Sequence, residues 1–204
     1  MHLVPTQEEV IALLRETGAL RTGHFRYPNG MHSNQYLQVP LAFRFYQHAR
    51  SLSVGLSRLL RANTEIRAMI RDLSMVAPAT GGLPVAFGIC EALRARKVYW
   101  AEKDSESSPM RFRQFLEVEK GEKVLLVDDI LRSGKKLAEL RSLVETSGGE
   151  VVGLAVIVYQ PTPATPDFRP LPVYYLAKLD AMYFSDGPSC DLTEPDAPVE
   201  RVWV

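Results

Sequence analysis

The chain has 204 residues, with 24 Lys and Arg balancing 24 Asp and Glu. That length suits one domain with at most a small accessory hood, and a formal charge of zero argues against a dedicated nucleic-acid binder. The longest apolar runs, residues 124–127 and 151–158, fall far short of the roughly 20 residues that a membrane span needs. Acids near the N-terminus, Glu8 and Glu9, stand where a secretory leader wants a basic start and an apolar core. Cys90 and Cys190 are too few and too far apart for a disulfide framework or a zinc cluster, so each reads as a free thiol. Composition predicts a cytoplasmic, soluble, single-domain protein.

Thr6 followed by Glu9 has the spacing of a capping box, which opens a helix. Val10, Leu13, Leu14 and Thr17 then share one face, and Gly18 ends it. Residues 22–39 read as a β-hairpin turning at Pro28-Asn29-Gly30. A helix follows over 46–61, striped by Leu52, Leu56, Leu59 and Leu60. A short strand at 74–77 runs into Pro78-Ala79-Thr80-Gly81-Gly82, and a helix over about 83–95 carries Val85, Ile89, Cys90 and Leu93. A strand at 97–101 leads to residues 102–114, whose charge and serine content predict a mobile loop or exposed hairpin. Then come a strand at 123–128, a helix at 136–147, a strand at 150–159, a Pro-rich loop and a last strand at 173–179. We expect a hood over about 1–45, a core over 46–180 and an irregular tail over 181–204. Strands alternating with helices predict a mainly parallel sheet flanked by helices. In such folds ligands bind beyond the carboxyl ends of the strands.

The residues just past each apolar run therefore matter most. The strand Val124-Leu125-Leu126-Val127 ends in Asp128 and Asp129, followed by Arg132-Ser133-Gly134-Lys135-Lys136. Side chains alternate along a strand, so the two acids are expected on opposite faces and not side by side on one metal. The helix that opens after Gly134 presents free amide donors, which make a phosphate cradle. Arg132, Lys135 and Lys136 add positive charge, and Ser133 a hydroxyl. Acids above such a cradle suit a sugar phosphate, whose hydroxyls they accept.

This segment resembles the signature of the type I phosphoribosyltransferases: an apolar strand, two acids, two further residues and a Thr/Ser-Gly loop. The N-terminal half is similar to the orotate phosphoribosyltransferase branch in Thr17-Gly18-Ala19-Leu20, Gly23-His24-Phe25 and Ser33-Asn34-Gln35-Tyr36. Ala77-Pro78-Ala79-Thr80-Gly81-Gly82 resembles the pyrophosphate loop of the same enzymes. The resemblance implies transfer of ribose 5-phosphate from phosphoribosyl pyrophosphate (PRPP) to a pyrimidine-type base, with release of pyrophosphate. It also implies Mg2+ bound with PRPP and a homodimer whose sites are completed across the interface. Asp128 and Asp129 match the acids that hold the ribose hydroxyls, directly or through magnesium-bound water. Arg132, Ser133, Gly134, Lys135 and Lys136 match the PRPP phosphate loop, and Thr80, Gly81 and Gly82 the pyrophosphate loop. Tyr36 and Leu37 fall where the base is contacted.

Three departures qualify that pattern. Lys103 alone matches the basic catalytic loop, and Glu102, Asp104 and Glu106 surround it. Arg132 replaces a small hydroxyl residue beside the base. Gln160 stands where the orotate-binding arginine is expected, which makes Arg132 a candidate replacement from the opposite side of the pocket. A non-catalytic relative that binds a nucleotide or phosphoribosyl ligand, as a sensor or interaction module, is the alternative expectation.

Overall fold

Thr6 accepts the Glu9 amide at 3.2 Å while the Glu9 carboxylate accepts the Thr6 amide at 2.8 Å, so the expected capping box starts the first helix. The computed structural model describes residues 4–28, 30–105, 107–113, 117–184 and 199–202. In chain order the elements are α1 (Gln7–Glu16), β1 (Leu20–Arg26), β2 (His32–Leu37), α2 (Pro40–Phe43), α3 (Tyr46–Ala62), α4 (Thr64–Met69), β3 (Leu73–Pro78), α5 (Gly82–Leu93), β4 (Lys97–Glu102), β5 (Arg111–Phe112), β6 (Lys123–Leu131), α6 (Lys135–Thr146), β7 (Glu150–Tyr159), β8 (Val173–Lys178), β9 (Tyr183–Phe184) and β10 (Glu200–Arg201). Asn29, Glu106 and Cys190 lie outside the described residues.

The main sheet has six strands in the order β5-β4-β3-β6-β7-β8. All its pairs are parallel except β4 with the two-residue β5. Side-chain alternation divides the core. Leu125, Val127, Ala155 and Ile157 pack with Val10 and Leu14 of α1, Leu52, Leu56 and Leu60 of α3, and Val85 and Ile89 of α5. Val124, Leu126, Leu154 and Val156 pack on the opposite face with Leu137, Leu140 and Val144 of α6. The expected parallel sheet with helices on both faces is therefore present.

After β3 the chain adds β4 on one side and β6 on the other. The order reverses between β3 and β6, and such a reversal opens a crevice at the carboxyl ends of the two strands. Pairing of β3 with β6 stops at Val76–Leu126, whereas β6 continues along β7 as far as Leu131–Tyr159. The strand thus runs through both acids and three residues beyond the sequence-based end at 128, because β7 still supplies ladder partners there.

The hood is a second sheet, ordered β10-β1-β2-β9. The expected irregular tail contributes both of its edges: β9 pairs antiparallel with β2, and β10 parallel with β1. Arg21 and Glu200 form a two-bond ion pair across the second of these edges. Strands of two residues leave no period in a sequence. A groove of about 860 Å³ between α1 and α3, lined in part by Val10, Leu13, Tyr46 and Arg50, contains none of the candidate site residues.

Thr6→Ala removes one half of the capping box and is expected to cost about 1 kcal/mol. Chemical denaturation at neutral pH measures it, and an unchanged midpoint would contradict the assigned cap.

Candidate active site

Both acids of β6 end up at the crevice between β3 and β6. Asp128 is 6% exposed. Its Oδ1 accepts the Asp129 amide at 2.9 Å, and Asp129 Oδ1 accepts the Ile130 amide at 2.8 Å. Pleating alone would separate the carboxylates, yet both meet the β3–α5 loop. A Cβ on Gly81 would lie 3.0 Å from Asp129 Oδ2, and one on Gly82 would lie 3.1 Å from Asp128 Oδ1. Beyond Leu126 the β6 strand has parted from β3, and the loop that follows β3 stands over its end. Any larger residue would crowd the acids there, so that one or the other would have to shift. The Ala79–Thr80 peptide of this loop is cis, and the Ala79 amide donates to the Ala101 carbonyl at 2.8 Å.

Burial pushes the Asp128 carboxyl well above the usual carboxylate range, and the neighbouring charge of Asp129 pushes it further; Lys136 works the other way. Burial likewise raises Asp129. Two adjacent acids that resist ionisation form a site for hydroxyl groups and for positive charge that develops or arrives beside them. Among the described residues no cluster of three or more His, Cys, Asp or Glu side chains could enclose a metal. Two hard carboxylates fit a divalent ion that keeps its waters and completes its shell with phosphate oxygens.

The phosphate cradle follows directly. Gly134 precedes α6 with φ +69°, and Lys135 opens the helix. A Cβ at Gly134 would lie 2.7 Å from Pro166 Cδ and 3.2 Å from Phe168 Cε2, so the loop after β7 lies against this turn. Ser133, Lys135 and Lys136 are exposed around the helix start. Their amides and charges face an anion favourably.

Arg132 takes a different direction from the rest of its loop. Its Nε donates to Gln160 Oε1 at 3.0 Å, and its Nη2 lies 3.5 Å from the Leu37 carbonyl oxygen. Its guanidinium sits 5.4 Å from the centre of the Tyr27 ring. The structure thus brings Arg132 and Gln160 into contact beneath the hood. Leu37 differs from expectation: its side chain is 2% exposed in the core, and only its carbonyl reaches the pocket. Strand alternation turns that side chain toward the tightly packed face. Tyr36 packs on Phe25 and Tyr27, with ring centres 5.6 and 6.3 Å apart.

Sequence reasoning passed over Tyr27, Gln35 and Tyr183. The Tyr183 hydroxyl donates to Gln160 Oε1 at 3.2 Å, and Gln160 Nε2 donates to Gln35 Oε1 at 3.4 Å. Gln35 lies in the Ser33–Tyr36 segment and was the legible signal among them. Tyr183 reaches the site only through the β2–β9 pairing.

Lys103 is paired with an acid of α6 and not with Asp128 or Asp129. It is bound to Glu139 of α6, at 2.9 Å to Oε1 and 2.7 Å to Oε2. Arg111 pairs with Asp104, and Arg113 with Glu102 and Asp104. The charges of the β4–β5 hairpin are largely spent on one another.

Comparison with known proteins places this arrangement in context. The phosphoribosyl transferase domain family matches residues 44–183. The chain is 33% identical over 152 residues to an orotate phosphoribosyltransferase of Desulforamulus reducens, covering 74% of each chain. It is 32% identical over 193 residues to the orotate phosphoribosyltransferase of Carboxydothermus hydrogenoformans, covering 95% of each. Its fold superposes on the crystal structure of orotate phosphoribosyltransferase from Aeropyrum pernix with a TM-score of 0.65 at 19% identity, over 83% of this chain and 93% of that one.

Two outcomes follow from the geometry. Gly134→Ala forces an L residue into the left-handed region and against Pro166, and should cost about 2 kcal/mol or more by denaturant titration. A carboxyl raised in the folded state favours folding at low pH, and that contribution disappears as pH rises through the raised value. Asp128→Asn keeps an acceptor for the Asp129 amide but cannot ionise. Its melting temperature should therefore gain on the parent protein progressively from about pH 4 upward; a gap that stays constant or closes would contradict the burial assigned to Asp128.

Proposed function

Because the chain belongs to the phosphoribosyltransferase family, we propose that it transfers the 5-phosphoribosyl group of PRPP to orotate and releases pyrophosphate. One observation carries the reading: Asp128 and Asp129 stand at the crevice between the Gly81-Gly82 turn and the start of α6. That spacing supports a ribose held by its hydroxyls on the acids, its 5′-phosphate on the amides and cations of 133–136, and its pyrophosphate toward Thr80, Gly81 and Gly82.

In the reaction the bond from the ribose anomeric carbon to pyrophosphate oxygen breaks, and its electron pair leaves with pyrophosphate. A ring nitrogen of the base forms the new bond to that carbon and gives up its N–H proton, which leaves to solvent or with the departing pyrophosphate. Positive charge builds on the ribose between these events, and the acids beside it, whose ionisation that charge favours, stabilise that state over the ground state. Neither step calls for a covalent intermediate on the protein. The work is positioning and charge stabilisation. Magnesium bound with PRPP supplies neutralisation of pyrophosphate charge, and Asp128 and Asp129 are the residues that would hold it indirectly.

The hood covers the base side of the crevice, with Tyr27, Gln35, Tyr36, the Leu37 carbonyl and Gln160 around it. Lys103 is assigned to pyrophosphate in the neighbouring subunit of a homodimer, where it exchanges Glu139 for the leaving group. We place the enzyme in the cytoplasm on its resemblance to the phosphoribosyltransferases. No helix among the described residues is long and apolar enough to cross a membrane.

Purified protein given PRPP, magnesium and orotate should release one pyrophosphate per orotidine 5′-monophosphate formed. Asp129→Asn should lower kcat on the order of 10²-fold or more, the scale of losing one charge-stabilising group. PRPP binding without pyrophosphate release would contradict the proposal.

A further inference from the structure

Arg132 leaves the carboxyl end of β6 where the hood meets the sheet, and its surroundings are held on every side. Gln160, 1% exposed, accepts from its Nε. Tyr183 donates to that same Gln160 oxygen, and Gln35 accepts from the Gln160 amide. The Tyr27 hydroxyl donates to the Gln35 carbonyl at 3.3 Å, which fixes the ring that lies beside the guanidinium. The main chain is anchored too. Thr165 Oγ1 donates to the Arg132 carbonyl, and the Thr162 amide donates to Thr165 Oγ1 at 2.8 Å.

All these partners of the side chain are neutral. Among the described residues no carboxylate pairs with Arg132, although Arg21, Arg111, Arg113, Arg141 and Arg169 each have one. A half-buried guanidinium surrounded by amides, phenols and a carbonyl keeps its charge uncompensated, and it presents a planar fork suited to a carboxylate. The Tyr27 and Tyr183 hydroxyls also hydrogen-bond the guanidinium, so every partner it has is a neutral group. Its direction distinguishes it from the phosphate cradle. It points to residues 27, 37 and 160, away from the amides of 133–136.

We infer that Arg132 binds the carboxylate of the incoming base and is the residue that selects an anionic pyrimidine over a neutral one, with Gln160 and Thr165 as its positioning residues. This deepens the transferase reading and rests on it for the identity of the base. Gln160 holds the guanidinium by Nε, so a carboxylate would make its two-bond contact with the terminal nitrogens, displacing only neutral partners such as the Leu37 carbonyl. Because the two side chains meet at 3.0 Å, a guanidinium delivered from position 160 would reach the same space.

Calorimetric titration of the full chain with orotidine 5′-monophosphate and with uridine 5′-monophosphate tests this without requiring turnover. The two ligands differ by the carboxylate alone. The parent protein should prefer the former, and Arg132→Gln should remove at least about 30-fold of that preference, the scale of truncating one member of a desolvated charge pair. The double variant Arg132→Gln/Gln160→Arg should recover most of it. A parent protein with no preference, or a single variant that keeps it, overturns the inference. Equal weakening of both nucleotides by Arg132→Gln also overturns it, assigning Arg132 to the 5′-phosphate. Preference retained in a protein that releases no pyrophosphate would instead overturn the transferase reading and leave Arg132 in its role.

Discussion

Two adjacent carboxylates held out of water at the end of β6 are the constraint around which the rest of the site is arranged. Each acid folds back on the next backbone amide, which uses polar groups left over where β3 parts from β6. Neither acid is paired with a basic side chain among the described residues, and burial resists ionisation of both. A structure that keeps charge poorly solvated at one place is complementary to a ligand that brings positive charge or hydroxyl donors there. The glycines at 81 and 82, the crevice at the strand reversal and the helix start at 135 serve that arrangement, since each permits a phosphate or a sugar to approach the acids closely.

The hood adds a second, separate electrostatic preference. Arg132 is turned toward it by Gln160, and its carbonyl is tied to Thr165 in the loop after β7. Ordering of that loop, of the phosphate turn beside it and of the hood edge formed by β9 is therefore linked through a few side chains. Lys103 belongs to neither set: its partner Glu139 lies on α6, the helix whose first turn forms the phosphate cradle.

Much of this was legible because it is local. The capping box, the α/β alternation and the acid-acid-Ser-Gly segment each depend on residues a few positions apart. The parts that were not legible depend on contacts between distant segments. The apolar run ends a strand at 128 in the sequence, whereas pairing with β7 carries β6 to Leu131. The side chains of Asp128 and Asp129 meet one loop because β3 diverges, which alternation does not encode. Resemblance points to Leu37 as a base contact, but strand parity buries its side chain. Tyr183 joins the pocket through a two-residue strand in a tail with no periodicity. Arg132 and Gln160 were each visible as a departure; their direct contact was not.

The most direct measurement is a titration of the parent protein and of Asp128→Asn with PRPP and magnesium. If the buried acid pair receives the ribose phosphate, the parent protein binds PRPP and the variant binds it more weakly. Equal affinity in the two proteins would contradict the placement of PRPP on these acids.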